Sequence, residues 1–157
     1  MTAEAFSIRV ARLDDAERMA EVSRLARGVD GGDQRSAIGT PNRLVVVAEI
    51  DGVVVGWAKT HHYDEGSGMA PAGHYLGGVN VLPEFQRRGI ASELTRVRLD
   101  WIWDRDSAAW FVTNARNEAS IALHAQFGFA EVSRADEFHG TTFDGGVGIL
   151  FRALLVG

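Results

Sequence analysis

The chain has 157 residues, of which 46% are hydrophobic and 24% charged, and its formal net charge is −5. This size fits one domain with a core of its own, and the negative charge argues against broad binding to nucleic acids or anionic membranes. Because the chain contains no cysteine, disulfides, cysteine-held zinc and a cysteine nucleophile are excluded. Residues 1–12 lack an apolar signal-peptide core and no segment reaches the ~20 apolar residues of a membrane span, so we expect a cytoplasmic protein.

The first third of the chain predicts a strand, a helix and a loop. Residues 6–10 alternate apolar and polar side chains, which is typical of a half-buried strand. Asp14 or Asp15 can cap a helix that runs to about Arg27, because apolar residues then recur at helical spacing. Residues 28–42 are rich in Gly, Asp and Ser and predict a loop, with a short helical turn around residues 35–38.

A hairpin and a second loop follow. The apolar runs 44–50 and 53–60 flank the dipeptide Asp51-Gly52, which is a strong signal for a two-residue hairpin turn. Residues 63–73 then contain three glycines, a proline and the acidic pair Asp64-Glu65. This composition predicts a loop, and its position between strands makes it a candidate substrate loop.

The central stretch combines a strand, a basic loop and a helix. Residues 74–82 read as a strand with Gly77-Gly78 in its middle, and glycine inside a strand often marks a bulge or a close approach of another group. The basic loop ends at Gly89, where an apolar stripe at helical spacing begins. A loop that enters a helix in this way favours a phosphate or pyrophosphate, because the first helical N–H groups lack internal partners. The alternative is an ordinary junction with two solvated arginines.

The last third predicts a buried strand at residues 109–113 and a helix from Asn117 to about residue 127, which Gly128 would end. Two final strands, 129–134 and 146–155, are joined by a loop that carries Asp136, Glu137, His139 and Asp144. The element order is therefore β, α, loop, β, β, β, α, β, α, β, β, without an internal repeat or a linker. It predicts one mixed α/β domain over residues 1–157.

Two landmarks in this order resemble the GNAT superfamily of acetyl-CoA-dependent N-acetyltransferases. Gln86-Arg87-Arg88-Gly89-Ile90-Ala91 fits its phosphate motif Gln/Arg-x-x-Gly-x-Gly/Ala, and the Asn117 helix ends in the Gly128-Phe129 turn typical of the superfamily. The resemblance covers essentially the whole chain. It implies the GNAT fold, a mixed and mostly antiparallel sheet of about six or seven strands, splayed at the fourth strand and flanked by about four helices.

The resemblance also implies acetyl-CoA as cosubstrate and a set of residues that bind it. The backbone of the strand would pair with the pantetheine arm, and the loop N–H groups would hold the pyrophosphate. Asn117 would meet the pantetheine arm or cap its own helix. The implied cofactor-binding residues are Val79, Asn80, Val81, Gln86, Arg87, Arg88, Gly89, Ile90, Ala91, Ser92, Asn117 and His124.

The catalytic residues are less well determined. His124 stands where many relatives have a tyrosine that protonates the departing thiolate; histidine can do this work, or it can simply pack beside the cofactor. Glu84 and His74 are candidate general bases, although either can be a surface residue, and a water chain would need no base. Without cysteine, the amine would attack acetyl-CoA directly in a ternary complex. A strand N–H near Val81 would stabilise the oxyanion.

The acceptor is inferred from charge alone. The pairs Asp64-Glu65 and Asp136-Glu137, together with the net negative charge, favour a small cationic amine such as an amino-sugar antibiotic or a polyamine. Solvated loop charge is the alternative explanation. A protein N-terminus or lysine is the second acceptor class, and a non-catalytic acyl-CoA-binding sensor is the alternative from another class.

We expect no metal, because the adjacent pair His61-His62 is poorly spaced for one ion. A homodimer through C-terminal strand exchange is compatible with the sequence.

Overall fold

The computed structural model describes residues 5–28 and 32–156. These residues contain three α-helices and nine strands. The helices are α1 (Ala16–Arg27), α2 (Ile90–Trp103) and α3 (Glu118–Ala125). The strands are β1 (Ser7–Val10), β2 (Val45–Ile50), β3 (Val53–Tyr63), β4 (Gly73–Val81), β5 (Ala108–Asn114), β6 (Ala130–Ala135), β7 (Glu137–Phe138), β8 (Thr141–Thr142) and β9 (Gly148–Leu154).

Seven of the strands form one sheet in the order β1-β2-β3-β4-β5-β9-β6, and β7 and β8 form a separate hairpin. The pairs β1-β2, β2-β3, β5-β9 and β6-β9 are antiparallel, whereas β4 pairs with β5 in parallel at Tyr75–Trp110 and Leu76–Phe111. The predicted mixed, mostly antiparallel sheet is confirmed. The helix count differs slightly, because the described residues hold three α-helices and two short 3-10 helices, Leu13–Asp15 and Pro83–Phe85.

The chain contacts divide into two compact units, and unit 1 comprises Met1–Thr60 and Gly78–Arg98. Its hairpin turns at Asp51 and Gly52, whose φ angles of 51° and 78° match the predicted two-residue turn. The indole Nε1–H of Trp57 donates to Ser23 Oγ at 3.0 Å and fixes α1 on the strands. Gly28, at φ 76°, ends that helix.

Asp15 has a different role from the predicted cap of α1. Its carboxylate accepts from the backbone N–H of Arg12 at 2.7 Å and from the guanidinium of Arg9 at 2.8 and 2.9 Å, and it makes no cap hydrogen bond to α1. The hydrogen bond and charge of Arg9 hold the pKa of Asp15 below its ordinary value, although burial opposes the shift. The residue therefore closes the 3-10 turn that leads into the helix.

Unit 2 comprises His61–Gly77 and Leu99–Gly157. Strand β9 lies between β5 and β6, and its buried Phe151 pairs in register with Phe111. These two rings form one core cluster with Leu76, Ile102 and Phe129. Apolar residues from strands and from the end of α2 thus bury each other, which is the main contribution to the stability of such a layer.

Two predicted loops are partly ordered elements. Strand β3 continues to Tyr63 and β4 begins at Gly73, so both ends of the predicted loop 63–73 belong to strands, and His61 and His62 lie near the end of β3, as predicted. The predicted loop after residue 134 contains the β7-β8 hairpin, which turns at His139 and Gly140 with φ angles of 48° and 80°. Two-residue strands show no alternation that a sequence pattern can reveal, and His139-Gly140 is not one of the Asn-Gly or Asp-Gly pairs that signal such a turn.

The predicted turn near residues 35–38 is present, because the N–H of Ile38 donates to the carbonyl of Gln34 at 3.1 Å. Residues 29–31 of the predicted loop lie outside the described residues. Within the described part of the chain, no helix combines the length and the apolar character needed to cross a bilayer.

Candidate functional site

A pocket of about 140 Å³ opens in unit 1 where β4 passes into α2. Apart from Phe85, every residue that lines it was predicted to bind the cofactor. The lining residues are Val81, Phe85, Gln86, Arg87, Gly89, Ile90, Ala91 and Ser92. The structure therefore brings the strand end, the basic loop and the first helical turn together around one cavity.

The loop backbone is shaped for an anion. Arg87 has a φ of 64° and Gly89 a φ of 85°, whereas Arg88 between them is not in this region. Successive backbone N–H groups in a turn can form the concave arrangement that binds phosphates in other proteins. A left-handed arginine costs about 1–2 kcal/mol, and such strain concentrates at ligand sites.

The start of α2 adds N–H donors to the same cavity. The N–H of Glu93 donates to the carbonyl of Gly89, the residue before α2, at 3.0 Å. The N–H groups of the residues before Glu93 have no helical carbonyl to reach, and the helix dipole places partial positive charge there. An anion in the pocket would accept hydrogen bonds from these N–H groups and would be attracted by the positive end of the helix dipole.

Two formal charges lie beside these donors. The guanidinium of Arg88 lies over the ring of Phe85 at 5.2 Å from its centroid, which keeps the side chain near the loop. Among the described residues, neither Arg87 nor Arg88 pairs with a carboxylate. Both charges thus remain available to an anionic ligand.

The side chain of Gln86 makes a hydrogen bond within the protein. Its side-chain Nε2–H donates to the backbone carbonyl of Val81 at 3.0 Å. Just beyond this point, the N–H of Leu82 donates to the carbonyl of Val55 on β3 at 2.9 Å. The amide therefore braces the start of the loop against the end of β4, a role that the sequence motif did not reveal.

Asn80 lies in sequence between Val79 and Val81, the two valines predicted to meet the pantetheine arm. It is 3% exposed, and its Oδ1 has no hydrogen-bond partner among the described residues. Since neighbouring strand residues point to opposite faces, Val79 and Val81 share one face and Asn80 the other. The side chain of Asn80 therefore points away from the face that the two valines share.

The remaining predicted cofactor residues, Asn117 and His124, belong to unit 2. Asn117 Oδ1 accepts from the N–H of Ser120 at 3.1 Å and caps α3, as one of the two predicted roles required. His124 is 2% exposed, and its Nδ1 lies 2.8 Å from the carbonyl of Ser120. Its ring stacks on Phe111, with centroids 3.5 Å apart. Because a carbonyl can only accept, Nδ1 carries the hydrogen.

The two candidate bases belong to different units. Glu84 is exposed in the 3-10 helix Pro83–Phe85 of unit 1. His74, in unit 2, is 6% exposed, and its ring lies 4.5 Å from that of His62 and 5.5 Å from that of Trp101. Burial, with a smaller contribution from His62, lowers the pKa of His74 below its ordinary value of 6.5. His74 is therefore neutral near pH 7.

The two acidic loops predicted to face the acceptor are connected within unit 2. His139 Nε2, in the turn of the β7-β8 hairpin, lies 3.0 Å from the carbonyl of Pro71. The same ring stacks on Tyr63 at a centroid distance of 3.7 Å, and Tyr75 packs edge-on against both rings. The sequence singled out the acidic residues of these loops but not the aromatic residues that join them.

His62 Nδ1 lies 3.2 Å from Asp64 Oδ1, so the histidine and the acidic loop are in contact. Even so, no group of three or more histidine or acidic side chains in residues 5–28 and 32–156 is arranged to hold a metal ion.

Comparison with known proteins gives one family. The sequence model described as the acetyltransferase (GNAT) family matches residues 10–129. Over 92 residues the chain is 32% identical to proteins named aminoglycoside N(6′)-acetyltransferase type 1 from Salmonella typhimurium and Salmonella enteritidis. This alignment covers 56% of the chain and 63% of each relative.

Solved structures with the same fold include the ribosomal-protein-S18-alanine N-acetyltransferase of Escherichia coli. It matches with a TM-score of 0.76 and 21% identity over 98% of this chain and 97% of that one. Arabidopsis thaliana NAA60 in complex with acetyl-CoA matches with a TM-score of 0.75 and 16% identity, over 98% of this chain and all of the other. At these identities the likeness concerns the fold alone.

Proposed function

Because the chain belongs to the acetyltransferase (GNAT) family, we propose that it transfers the acetyl group of acetyl-CoA to a primary amine of a small molecule. The observation that carries this proposal is the pocket of unit 1, with its left-handed loop residues, helix N-terminus and two arginines that pair with no carboxylate among the described residues. A pyrophosphate suits such a site because N–H donors, dipole and formal charge all favour anions.

The proposed binding mode follows from the order of elements. The pyrophosphate of acetyl-CoA would meet the N–H groups of residues 87–92, and Gln86 would keep that loop against β4. The pantetheine arm would then extend from Val81 toward Val79 as an added strand, because these two residues share one face. The thioester carried by the bound molecule supplies the acetyl group.

The proposed chemistry is direct acyl transfer. The neutral amine attacks the thioester carbonyl, a C–N bond forms, the C–S bond breaks, and coenzyme A leaves as the thiol. The proton lost by the amine leaves to solvent or to a base, for which Glu84 and His74 stay the proposed candidates. As an imidazolium, with a proton on each ring nitrogen, His124 would protonate the sulfur through Nε2 and become neutral, because its Nδ1–H is engaged by Ser120. A strand N–H near Val81 would stabilise the oxyanion.

The acceptor that we propose first is a small cationic amine. The relatives named aminoglycoside N(6′)-acetyltransferase support an amino sugar, and the exposed carboxylate of Asp64 lies on a loop that carries further acidic charge. We also propose that residues 1–157 act as one domain, since β3, β4 and α2 each contribute residues to both units.

The experiment is a thiol-release assay. With no protein cysteine, a thiol-reactive dye reports only free coenzyme A. Acetyl-CoA and a panel of amines should release thiol with at least one amine, and calorimetry should show acetyl-CoA binding without an amine. Binding without release for every amine would contradict catalysis and support the non-catalytic sensor, whereas absence of binding would refute both.

A further inference from the structure

Arg27, the last residue of α1, reaches the strand on which the proposed cofactor lies. The helix is held in place by the bond between Trp57 and Ser23 and by Arg18, whose Nε–H donates to the carbonyl of Val54 at 2.9 Å. Gly28 then turns the chain away at φ 76°. The backbone that carries the Arg27 side chain is therefore fixed within unit 1.

The guanidinium of Arg27 lies directly over Gly78 of β4. A Cβ added at Gly78 would be 3.3 Å from Nη1 of Arg27, which is tighter than an ordinary contact. The absence of a side chain at this position lets the charged group lie close to the strand backbone. Both Gly78 and Arg27 are exposed, so a ligand in solvent can reach them.

The charge of Arg27 is unused within the described residues. No carboxylate among these residues pairs with it, and no hydrogen bond from its N–H groups to any of them is present. A planar guanidinium offers a fork of donors that matches a carboxylate in a bidentate manner. An acceptor with a carboxylate would supply the missing partner.

The position of Gly78 assigns this partner to the acceptor rather than to the pyrophosphate. In the proposed binding mode the pantetheine arm runs from Val81 toward Val79, away from the phosphate loop. Gly78 is the next residue along, about 10 Å from Val81 at roughly 3.3 Å per residue. The guanidinium therefore lies near the thioester end, where the amine must approach.

Two observations argue against a role of Arg27 in polarising the thioester. The side chain is exposed to water, and no described residue holds the guanidinium in one orientation. Stabilisation of an oxyanion requires donors that are already oriented in a site that excludes water. Recognition of a charged substituent has no such requirement, because the substituent can orient the side chain as it binds.

We propose that Arg27 is a specificity-determining residue that selects acceptors bearing a carboxylate close to the reacting amine, as in an α-amino acid. This inference rests on the proposed acetyl transfer and adds amino acids as an acceptor class beside the cationic amines proposed above. Polyamines and aminoglycosides offer the guanidinium no anion, so Arg27 would contribute no attraction to their binding.

The test uses acceptors matched in all but charge: alanine, glutamate and phenylalanine, their carboxamides, and the corresponding amines without the carboxyl group, with spermidine and an aminoglycoside as polycations. For the unmodified protein, kcat/KM for the amino acids should exceed kcat/KM for the carboxamides by at least about tenfold, as expected for one charge-assisted hydrogen-bonded pair. Arg27→Ala should remove this preference by lowering only the carboxylate values, and Arg27→Lys should retain part of it.

Arg24→Ala is the matched control, because Arg24 lies in the same last turn of α1, and it should leave the preference unchanged. Arg27→Glu should reverse the preference toward spermidine. An unchanged preference in Arg27→Ala, or an equal loss of kcat on carboxylates and carboxamides, would overturn the inference while leaving acetyl transfer intact. If no acceptor of any charge releases thiol although acetyl-CoA binds, the proposed function fails and this inference fails with it.

Discussion

The side-chain amide of Gln86 donates to the backbone carbonyl of Val81 at 3.0 Å, and this bond ties the basic loop before α2 to the end of β4. It spans five residues and precedes the left-handed Arg87, so it sets the point from which the loop turns. Gln86 therefore has two roles: it lines the pocket, and its hydrogen bond to Val81 holds the backbone where the loop begins.

Gln86→Ala should weaken acetyl-CoA binding by about fivefold, because a typical net hydrogen bond is worth about 1 kcal/mol and its loss lets the loop move. Calorimetric titration with acetyl-CoA measures this change. Gln126→Ala, at an exposed glutamine that ends α3 in unit 2, is the control and should bind normally. An unaltered affinity in Gln86→Ala would show that the brace is dispensable.

Gly89→Ala should separate backbone strain from ligand binding. Gly89 has a φ of 85° and a Cβ there would meet no atom within 4 Å, so alanine costs about 1–2 kcal/mol of left-handed strain but no clash. Gly52, at φ 78° in the hairpin turn, is equally open and provides the matched control. Thermal unfolding should show similar losses of stability for both variants.

Only the loop variant should also lose affinity for acetyl-CoA, because its new methyl group lies where the pyrophosphate must approach the backbone. Equal affinities in Gly89→Ala and Gly52→Ala would contradict the location of the phosphate site.

His124→Phe should keep the ring stacked on Phe111 while removing both nitrogens. If His124 protonates the departing thiolate, kcat should fall by about 10²- to 10⁴-fold, the usual contribution of a general acid, while acetyl-CoA binding is retained. Thiol release and calorimetry on the same preparation measure the two quantities. A turnover equal to that of the unmodified protein would eliminate the acid role.

His74 should make the protein sensitive to acid. Burial lowers its pKa below 6.5, so below that pH the unfolded chain binds more protons than the folded one. Stability from keeping His74 neutral is complete above about pH 6.5 and is lost as the pH falls toward the lowered folded-state pKa. Chemical denaturation at several pH values should show this decline.

In His74→Phe, which retains a ring beside Trp101, the decline between pH 6.5 and 5 should be shallower than in the unmodified protein. A parallel decline in His74→Phe and the unmodified protein would assign the acid sensitivity to other groups.

The features that could be predicted from the sequence are those whose conformation is decided by residues close together in the chain. The two residues Asp51 and Gly52 are enough to specify the hairpin turn. In the loop from Gln86 to Ser92, Gly89 and the apolar stripe after it indicate where the helix begins. The cap of α3 by Asn117 is equally local. These features were correctly predicted because backbone conformation and short-range hydrogen bonds decide them.

Contacts between distant segments could not be predicted. The stack of Tyr63 on His139 and the contact of Arg27 with Gly78 join residues far apart in the chain, and no pattern in either segment indicates its partner. The helical spacing of α1 likewise showed where the helix ends but not which strand its last side chain meets. Tertiary packing decides these pairs, so they emerged only from the structure.

The most direct test of the account is an acetyl balance measured by mass spectrometry. Acetyl-CoA, the protein and the amine that gives the highest thiol release are incubated together, and free coenzyme A and N-acetylated amine are quantified. The account predicts one N-acetyl group on the amine for each coenzyme A released, with no acetyl group left on the protein. Release of coenzyme A without acetylated amine, or an acetylated protein as the sole product, would contradict direct transfer to a small-molecule amine.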